Sequence, residues 1–436
     1  MHTEYRQRRS QLLEKLGTST AIFRSAPQAV MHNDVEYHFR QDSAFYYLTG
    51  CNEPDAVAVF APHHETHPFV MFVRPKDIKA ETWSGRRTGV ELAKQVWGAD
   101  EVFSITELDE KLPEYLKKAD RIYYHLGHDE AFNTTVIQHW RKLMRGVQKH
   151  GVGPIALEDS SQVLDGLRLV KSEAELALMR RAVAIAAEAH NFARTFAQVG
   201  HYEWQIQAEM EYIFRKRGAL GPAYPSIVAS GENACILHYV ENNCQIGENE
   251  LLLIDAGCSV DYYNSDITRT FPVSGQFTEE QGILYDLVLK AQKAAIAQVQ
   301  PGHGFNRPHD TAVSILVDGL LELGLLTGNQ EEIIKEEKYK HLYMHRTGHW
   351  LGLDVHDVGS YKHNETEWRQ FQAGQVVTVE PGVYISPTIE SPEGQPEIPQ
   401  RWRGIGIRIE DDVLVTATGH EVLSGAIPKE RAELER

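Results

Sequence analysis

The sequence predicts an α/β protein of two domains, and three observations lead to this prediction. Residues 1–170 alternate strand-like and helix-like segments. Residues 171–436 contain two similar stretches, in which an apolar strand ends in an acid and a second strand carries another acid. A chain of 436 residues is also longer than one hydrophobic core usually accommodates.

Short apolar runs and amphipathic segments alternate through the predicted first domain. The predicted strands are TAIFRS, AVAVFAP, PFVMFVRP and RIYYHLG. The predicted helices are the opening segment MHTEYRQRRSQLLEKLG, LDEKLPEYLKKA and FNTTVIQHWRKLMRGV. This alternation indicates an α/β domain, and its sequence has no cluster of acids and histidines.

The character of the sequence changes at Lys171. Ser172 and Glu175 have the spacing of a capping box, which predicts a long helix that runs to about Gly200. Its apolar residues follow one helical stripe, as packing against a core requires: Leu176, Met179, Val183, Ala186 and Ala193. We therefore place the domain boundary at about residue 170.

Two copies of one strand unit supply the acids that stand out in the second domain. The stretches are LLLIDAG (251–257) and NSDITRTF (264–271), then VVTVEPG (376–382) and GIRIEDDVLV (406–415). Asp255 and Glu380 interrupt apolar runs that otherwise indicate buried strands, and acids are poor strand formers. Asp266 and Glu410 lie on the second strand of each copy. Brought face to face, the copies would aim four carboxylates at one point.

A pair of metal ions explains these acids best. Four converging carboxylates would repel one another and take up protons, whereas two divalent cations would cancel their charge. Each acid alone fits an ordinary hairpin or strand end, so the combination carries the prediction. With His349 as the single imidazole, the oxygen-rich set suits ions such as Mn²⁺ better than thiolate-loving ions.

The segment MHRTGHWLGLDVHDVG contains three candidate histidines: His345, His349 and His356. The spacing of His345 and His349 is that of the zinc-protease helix motif, but Arg346 occupies the place of its glutamate. Gly348 and Gly352 also disfavour a helix. We therefore expect strand and turn here, and not a helical zinc site.

Two further residues are candidates for the site. Strand alternation puts Arg408 on the same face as Glu410, where a cation would orient the ligand carboxylates. His238 lies in SGENACILHYV. A lone histidine is more commonly a surface or hydrogen-bonded core residue. The assignment of His238 to the site therefore requires that the fold bring it close to the acids.

Unequal spacing distinguishes the two copies. Asp255 and Asp266 are 11 residues apart, whereas Glu380 and Glu410 are 30 apart. The difference is the insertion SPTIESPEGQPEIPQRWRG (386–404), whose prolines exclude a regular helix or a central strand. We expect a loop near the mouth of the site. GNQEEIIKEEKYKH (328–341) is expected to form a solvated helix or linker.

Composition excludes several classes of protein. Hydrophobic residues make up 42% of the chain and charged residues 24%, as in a soluble globular protein. A net charge of −17 disfavours nucleic acid and anionic membranes as partners. The opening segment has no apolar signal region, and no apolar run reaches the roughly 18 residues of a membrane span. The four cysteines form no CxxC pair, so we expect a reducing, cytoplasmic location.

The order of motifs in the second domain resembles that of the pita-bread metallopeptidases. These motifs are DAG, SDITRTF, HRTGHWLGLDVHD, VEPG and GIRIEDD. The family includes methionine aminopeptidase, prolidase, aminopeptidase P and the metal-free creatinase. In the first domain, YHFRQDSAFYYLTGCNEPDAVAVF and ETWSGRRTG resemble the N-terminal domain of aminopeptidase P, the Xaa-Pro aminopeptidases. The resemblance implies an α/β first domain of the creatinase and aminopeptidase P type (1–170) and a pseudo-twofold pita-bread catalytic domain (171–436).

The resemblance also implies a role for each ligand. Asp255 would chelate one metal ion, and His349 and Glu380 would bind the other. Asp266 and Glu410 would bridge the two ions. His238, His345 and His356 would be the outer catalytic histidines, and Glu380 would be the proton shuttle. Arg408, which the strand pattern indicates, completes the predicted catalytic set.

The activity implied by the resemblance is release of the N-terminal residue from peptides with proline in second place. A hydroxide shared by two divalent ions, with Mn²⁺ expected, would attack the carbonyl before proline. His356 would stabilise the developing oxyanion. The first domain would serve oligomerisation and access to the site in a homodimer or homotetramer. Asp34 and Trp83 belong to motifs that, in the family, approach the site of a neighbouring subunit.

Two alternatives remain at this point, a prolidase and a non-catalytic module, and a third, the creatinase type, is rejected. A prolidase has the same five ligands and cleaves only dipeptides. A non-catalytic peptide-binding or histone-chaperone module can have the same fold, as can a creatinase-type amidinohydrolase without metals. The last two relatives typically lose ligands, and this chain keeps all five residue types.

Overall fold

A computed structural model describes residues 2–127 and 129–435, so Met1, His128 and Arg436 lie outside the described residues. The chain divides into two compact units, of which the first ends at Arg168 and the second comprises Leu169–Arg436. Each unit contains both sheet and helix, which confirms the predicted α/β class. In the described part of the chain, no helix is long and apolar enough to cross a membrane.

The first unit is organised around a six-stranded sheet of strand order β6-β5-β4-β1-β7-β8. Its strands, with the separate hairpin β2-β3, are β1 (Thr20–Arg24), β2 (Val30–His32), β3 (Val35–Glu36), β4 (Val57–Phe60), β5 (Phe69–Val73), β6 (Glu101–Ser104), β7 (Arg121–Tyr123) and β8 (Ala156–Glu158). The four predicted strands correspond to β1, β4, β5 and β7. Antiparallel pairing joins β1 to β4 and β4 to β5, whereas β7 runs parallel to β1.

Helices alternate with these strands along the chain. They are α1 (His2–Leu16), α2 (Ser43–Thr49), α3 (Ile78–Ser84), α4 (Gly89–Trp97), α5 (Leu108–Leu116), α6 (Glu130–His150) and α7 (Ser161–Leu169). The predicted helices correspond to α1, α5 and α6. Apolar side chains of the sheet pack against α5 and α6 in one core, which includes Ile22, Val59, Phe72, Leu112 and Val136.

The second unit contains the helices α8 (Glu173–Phe196), α9 (Glu203–Lys216), α10 (Glu279–Ile296), α11 (Arg307–Glu322), α12 (Gln330–Lys335) and α13 (Arg431–Leu434). The Ser172 hydroxyl accepts a hydrogen bond from the Glu175 amide, and the Glu175 side chain accepts one from the Ser172 amide. These two bonds confirm the predicted capping box of α8. All five residues of its predicted apolar stripe are buried. Sequence analysis missed α10, although Thr278 and Gln281 form a capping box at its start.

Two four-strand units confirm the predicted repeat. The first consists of β11 (Leu251–Asp255), β12 (Cys258–Val260), β13 (Tyr263–Asn264) and β14 (Thr268–Pro272). The second consists of β15 (Val376–Val379), β16 (Gly382–Ile385), β17 (Ile405–Arg408) and β18 (Asp411–Val415). In each, the first strand pairs with the fourth and the second with the third, all antiparallel. The remaining strands are β9 (Gly221–Pro222), β10 (Ile227–Ser230) and β19 (His420–Val422).

One strand prediction was wrong. Residues 406–415 were expected to form a single strand, but β17 ends at Arg408 and β18 begins at Asp411 in a different sheet. Glu410 lies at this break, and its amide donates to the carbonyl of Thr268 in the other copy at 3.1 Å. The backbone therefore leaves one sheet for another at the acid itself, and this links the two copies.

The glycine after Asp255 is required by close packing. A Cβ atom on Gly257 would lie 1.7 Å from the carbonyl oxygen of Ser265, which no other residue type can accommodate. Gly348 meets the same limit, because its Cβ would lie 2.0 Å from the carbonyl oxygen of Thr378. Both glycines bring a segment of the candidate site against the backbone that carries the next predicted ligand.

The two irregular segments have different outcomes. The insertion 386–404 forms no α-helix or strand, as predicted, although Ile398 and Trp402 are buried in the core. The segment 328–341 was expected to be a solvated helix or linker. It contains the helix α12, but it is not solvated throughout. Ile333 of α12 is only 1% exposed, because it packs into the core of the second unit.

Candidate metal centre

The predicted site residues of the second domain line one cavity of about 760 Å³. They are Asp255, Asp266, Glu380, Glu410, His238, His345, His349, His356 and Arg408. The strand repeat and the histidine-rich segment thus meet at one place, although they are far apart in sequence. Asp34 and Trp83 lie in the first unit and are exposed, and Trp83 is 90% exposed.

Three side chains approach one another closely enough to share a cation. Ligand atoms of Asp266, His349 and Glu410 all lie within 4.8 Å of one another. The Nε2 atom of His349 is 3.4 Å from Oδ2 of Asp266 and 3.7 Å from Oε1 of Glu380. Oxygen and imidazole donors of this kind bind divalent ions in proteins.

The repeat explains why the acids converge. Asp255 is the last residue of β11, and Glu380 follows β15 directly. Asp266 lies two residues before the start of β14, and Glu410 lies one residue before the start of β18. Corresponding positions of the two copies therefore supply one acid from a strand end and one from a strand start. Pairing of the first and fourth strands brings each of these acid pairs to one edge.

Hydrogen bonds orient the candidate ligands. The Nδ1 atom of His349 lies 3.0 Å from the carbonyl oxygen of Trp350, so a proton on Nδ1 leaves the Nε2 lone pair facing the acids. The hydroxyl of Thr268 donates to Glu410 at 2.8 Å. The amide of Asp266 donates to Oδ2 of Asp412 at 3.2 Å. These contacts hold the ligand atoms in place.

The charges of the site are not balanced within the protein. Burial raises the pKa of Glu380 to about 7, and it raises the pKa of Glu410 well above its usual value. Burial also raises the pKa of Asp255. Burial alone would lower the pKa of His349, but Asp266 and Glu380 outweigh it and raise this pKa to about 9. The donor set therefore takes up protons unless cations replace them, and it fits two divalent ions.

Arg408 is held against one of the acids. Its guanidinium Nη2 donates to Asp255 at 2.8 Å, and its Nε donates to the Thr268 hydroxyl at 3.1 Å. We predicted that Arg408 would lie beside Glu410, but the contact with Glu410 passes through Thr268. The arginine thereby fixes Asp255 directly and Glu410 indirectly.

A tyrosine links Arg408 to one of the histidines. The hydroxyl of Tyr384 accepts from Nη1 of Arg408 at 3.0 Å and lies 2.7 Å from Nε2 of His345. Burial, with Arg408 nearby, lowers the pKa of His345 to about 3, so this ring is neutral. The ring of His356 meets that of His349 edge to face at 4.3 Å, and burial lowers its pKa too.

Sequence analysis missed two tyrosines of the site. Tyr384 could have been found, because β16 alternation puts it on the face of Gly382, which pairs with Arg408. Tyr224 donates to Oδ1 of Asp255 at 2.6 Å from a segment outside the strands. No periodicity indicated Tyr224, since irregular segments have none.

Comparison with known proteins now identifies the class. Residues 177–417 match the model of metallopeptidase family M24, and residues 5–123 match that of the aminopeptidase P N-terminal domain. The chain belongs to metallopeptidase family M24. This confirms the resemblance that the motifs indicated.

Individual relatives cover almost the whole chain. The Xaa-Pro aminopeptidase of Escherichia coli K12 is 40% identical, over 99% of this chain and 96% of the relative. The solved structure of aminopeptidase PepP from Pseudomonas aeruginosa is 44% identical, with a TM-score of 0.93, over 100% of this chain and 97% of that one. Zn-substituted E. coli aminopeptidase P in complex with product is 39% identical, with a TM-score of 0.93 over the same shares.

Proposed function

We propose that this chain is a metal-dependent aminopeptidase that releases the N-terminal residue from peptides with proline at the second position. The observation that carries the proposal is the convergence of four acids and His349 on one cavity. Similarity to Xaa-Pro aminopeptidases along the entire chain supports the choice of substrate.

Two divalent ions fit the donor set. Asp255 would hold one ion, His349 and Glu380 the other, and Asp266 and Glu410 would lie between them. When bound, the ions would activate water and polarise the scissile carbonyl. Mn²⁺ is the ion that we propose, because carboxylate oxygens dominate the set.

The protein's own groups account for the movement of protons. An Xaa-Pro bond is a tertiary amide, so its nitrogen has no hydrogen and must gain a proton as it leaves. Glu380, whose pKa is raised to about 7 by burial, can both accept and return a proton near neutral pH. Its Oε2 lies 3.6 Å from Nδ1 of His345. Neutral His356 lines the same cavity and can donate a hydrogen bond to the developing oxyanion.

The first domain has a separate proposed role. We assign residues 1–170 to oligomerisation and site access, and residues 171–436 to catalysis. The exposure of Asp34 and of Trp83 on α3 supports a contact with a neighbouring subunit. A homodimer or homotetramer in the cytoplasm is the state that we propose.

The test compares two substrates after chelation and reconstitution with Mn²⁺. One is an Xaa-Pro dipeptide, and the other is an Xaa-Pro-Yaa tripeptide. We expect metal-dependent release of the first residue from the tripeptide. Cleavage confined to the dipeptide would make the enzyme a prolidase, and cleavage of neither by the metal-loaded protein would contradict the proposal.

A further inference from the structure

The cavity contains a second arginine that the metal centre does not use. We propose that Arg346 binds the C-terminal carboxylate of short peptide substrates, so that the enzyme favours tri- and tetrapeptides with a free C-terminus. This inference rests on the proposed function and adds a substrate class to it. The amine of such a peptide would lie at the metal ligands.

The donors of Arg346 are available, in contrast to those of Arg408. Both arginines line the cavity. Arg408 is only 3% exposed, and its guanidinium is occupied by Asp255, Tyr384 and Thr268. Arg346 is exposed, and within residues 2–127 and 129–435 we find no carboxylate in ion-pairing distance of its guanidinium. An arginine with free donors at the wall of a peptide-binding cavity matches the geometry of a carboxylate.

An aromatic platform orders this side chain. The guanidinium carbon of Arg346 lies 5.1 Å from the centroid of the Trp368 ring. Nζ of Lys362 lies 4.4 Å from the same centroid, and it donates to the carbonyl oxygen of Glu365 at 3.0 Å. Stacking restricts the rotamers of Arg346 before a ligand arrives, which lowers the entropic cost of binding.

The distribution of charge matches a short zwitterion. Acids gather at the metal centre, whereas Arg346 and Lys362 place positive charge around Trp368. A peptide bound with its amine toward the acids would direct its carboxylate away from them. Such an arrangement favours one orientation of the substrate and disfavours the reverse.

The backbone of Arg346 is close enough to the metal ligands for a bound tripeptide to reach its side chain. Arg346 precedes the ligand His349 by three residues. Three extended residues span at most about 10 Å, and the arginine side chain adds its own reach. A dipeptide carboxylate stays near the acids, and a long peptide carries its carboxylate out of the cavity. Tri- and tetrapeptides are therefore the substrates on which Arg346 acts.

The experiment measures kcat and KM for an Xaa-Pro-Ala tripeptide and for its C-terminal amide, with the Mn²⁺-loaded enzyme. We expect the wild type to favour the free acid about five- to tenfold in kcat/KM, as a charge-assisted hydrogen bond implies. Arg346→Gln should abolish this preference through a higher KM for the acid, with the amide changed less than about twofold. Arg346→Lys should restore part of it.

A matched control is Arg401→Gln. Arg401 is also exposed and stacks on a tryptophan, with its guanidinium carbon 5.7 Å from the Trp402 centroid, but it does not line the cavity. This variant should keep the wild-type preference. Equal kcat/KM on acid and amide in the wild type, or a preference that survives in Arg346→Gln, would overturn the inference. Failure of the wild type to cleave either peptide would instead refute the proposed function, and the inference with it.

Discussion

Two clusters of buried charge lie next to each other in the second unit, and only one is neutralised by the protein. Asp411 is fully buried and accepts from Nη2 of Arg269 at 2.7 Å and from Nε2 of Gln292 at 2.7 Å. Lys429 and Ser424 donate to it as well. Burial would raise the pKa of Asp411, but Arg269 and Lys429 hold it well below its usual range.

One residue earlier, Glu410 is in the opposite situation. It faces Asp266 and Glu380, and the Thr268 hydroxyl donates a hydrogen bond to its carboxylate. Its pKa is raised by burial and by those acids. The contrast shows how the fold treats charge. The cluster around Asp411 has basic partners built in, whereas at the candidate metal centre Arg408 is too little to balance the converging acids.

The largest expected effect comes from removing a ligand. Asp266→Ala or Glu410→Ala should lower kcat by about a thousandfold or more, because the activation of water by metal ions is lost. The measurement is steady-state cleavage of an Xaa-Pro-Yaa peptide in Mn²⁺, with circular dichroism as the check on folding. Near-normal activity in either variant would contradict a metal pair.

Substitutions at two neighbouring positions, one in each cluster, should change the free energy of unfolding of the metal-free protein differently. Asp411→Asn should lower the free energy of unfolding by about 3–5 kcal/mol, since Arg269 is left with an unpaired buried charge. Glu410→Gln should leave it unchanged or raise it by about 1 kcal/mol, because repulsion from Asp266 is relieved. Urea denaturation in chelator measures both. Similar losses in the two variants would show that the clusters are equivalent.

The pH dependence of stability offers a third comparison. In the folded protein the pKa of Glu380 is about 7, so its carboxyl keeps a proton that it releases in the unfolded chain. The stability that this proton contributes is lost as pH rises through 7. His349, with a folded pKa of about 9, contributes stability that is lost as pH rises through 9. The chelated protein should therefore lose stability from pH 6 to pH 9. Added Mn²⁺ should raise the melting temperature more at pH 8 than at pH 6, and the reverse order would contradict this account.

The smallest effect on activity is expected from Thr347, whose backbone contacts Glu380. The Thr347 hydroxyl lies 2.9 Å from Nδ1 of His309 and 2.6 Å from the Tyr343 hydroxyl, and its carbonyl accepts the Glu380 amide at 2.8 Å. Thr347→Val should lower the free energy of unfolding by about 1–2 kcal/mol through the unpaired groups. The backbone bond to Glu380 remains, so kcat should change only a few-fold. Loss of metal binding in this variant would contradict this expectation, because it would show that the Thr347 hydroxyl is needed to hold the metal site.

The acids of the site could be predicted because they interrupt a pattern. Asp255 and Glu380 end apolar strands in two similar copies, and that irregularity is visible without any structure. The partners of Asp411 could not be predicted, because Arg269 lies 142 residues away and only the fold brings it close. For the same reason, alternation did not reveal the change of sheet at Glu410. Periodicity reports on one strand, whereas both features depend on which strands meet.

The most direct test of the metal centre is anomalous X-ray diffraction from crystals of the chelated protein reconstituted with Mn²⁺. The account predicts two peaks per chain in the cavity, with Asp266 and Glu410 between them. Titration calorimetry should give the same two equivalents and a release of protons at pH 6.5, because His349 and Glu380 must give up theirs. A single peak, or no peak in the folded protein, would contradict the claim that these four acids hold a pair of ions.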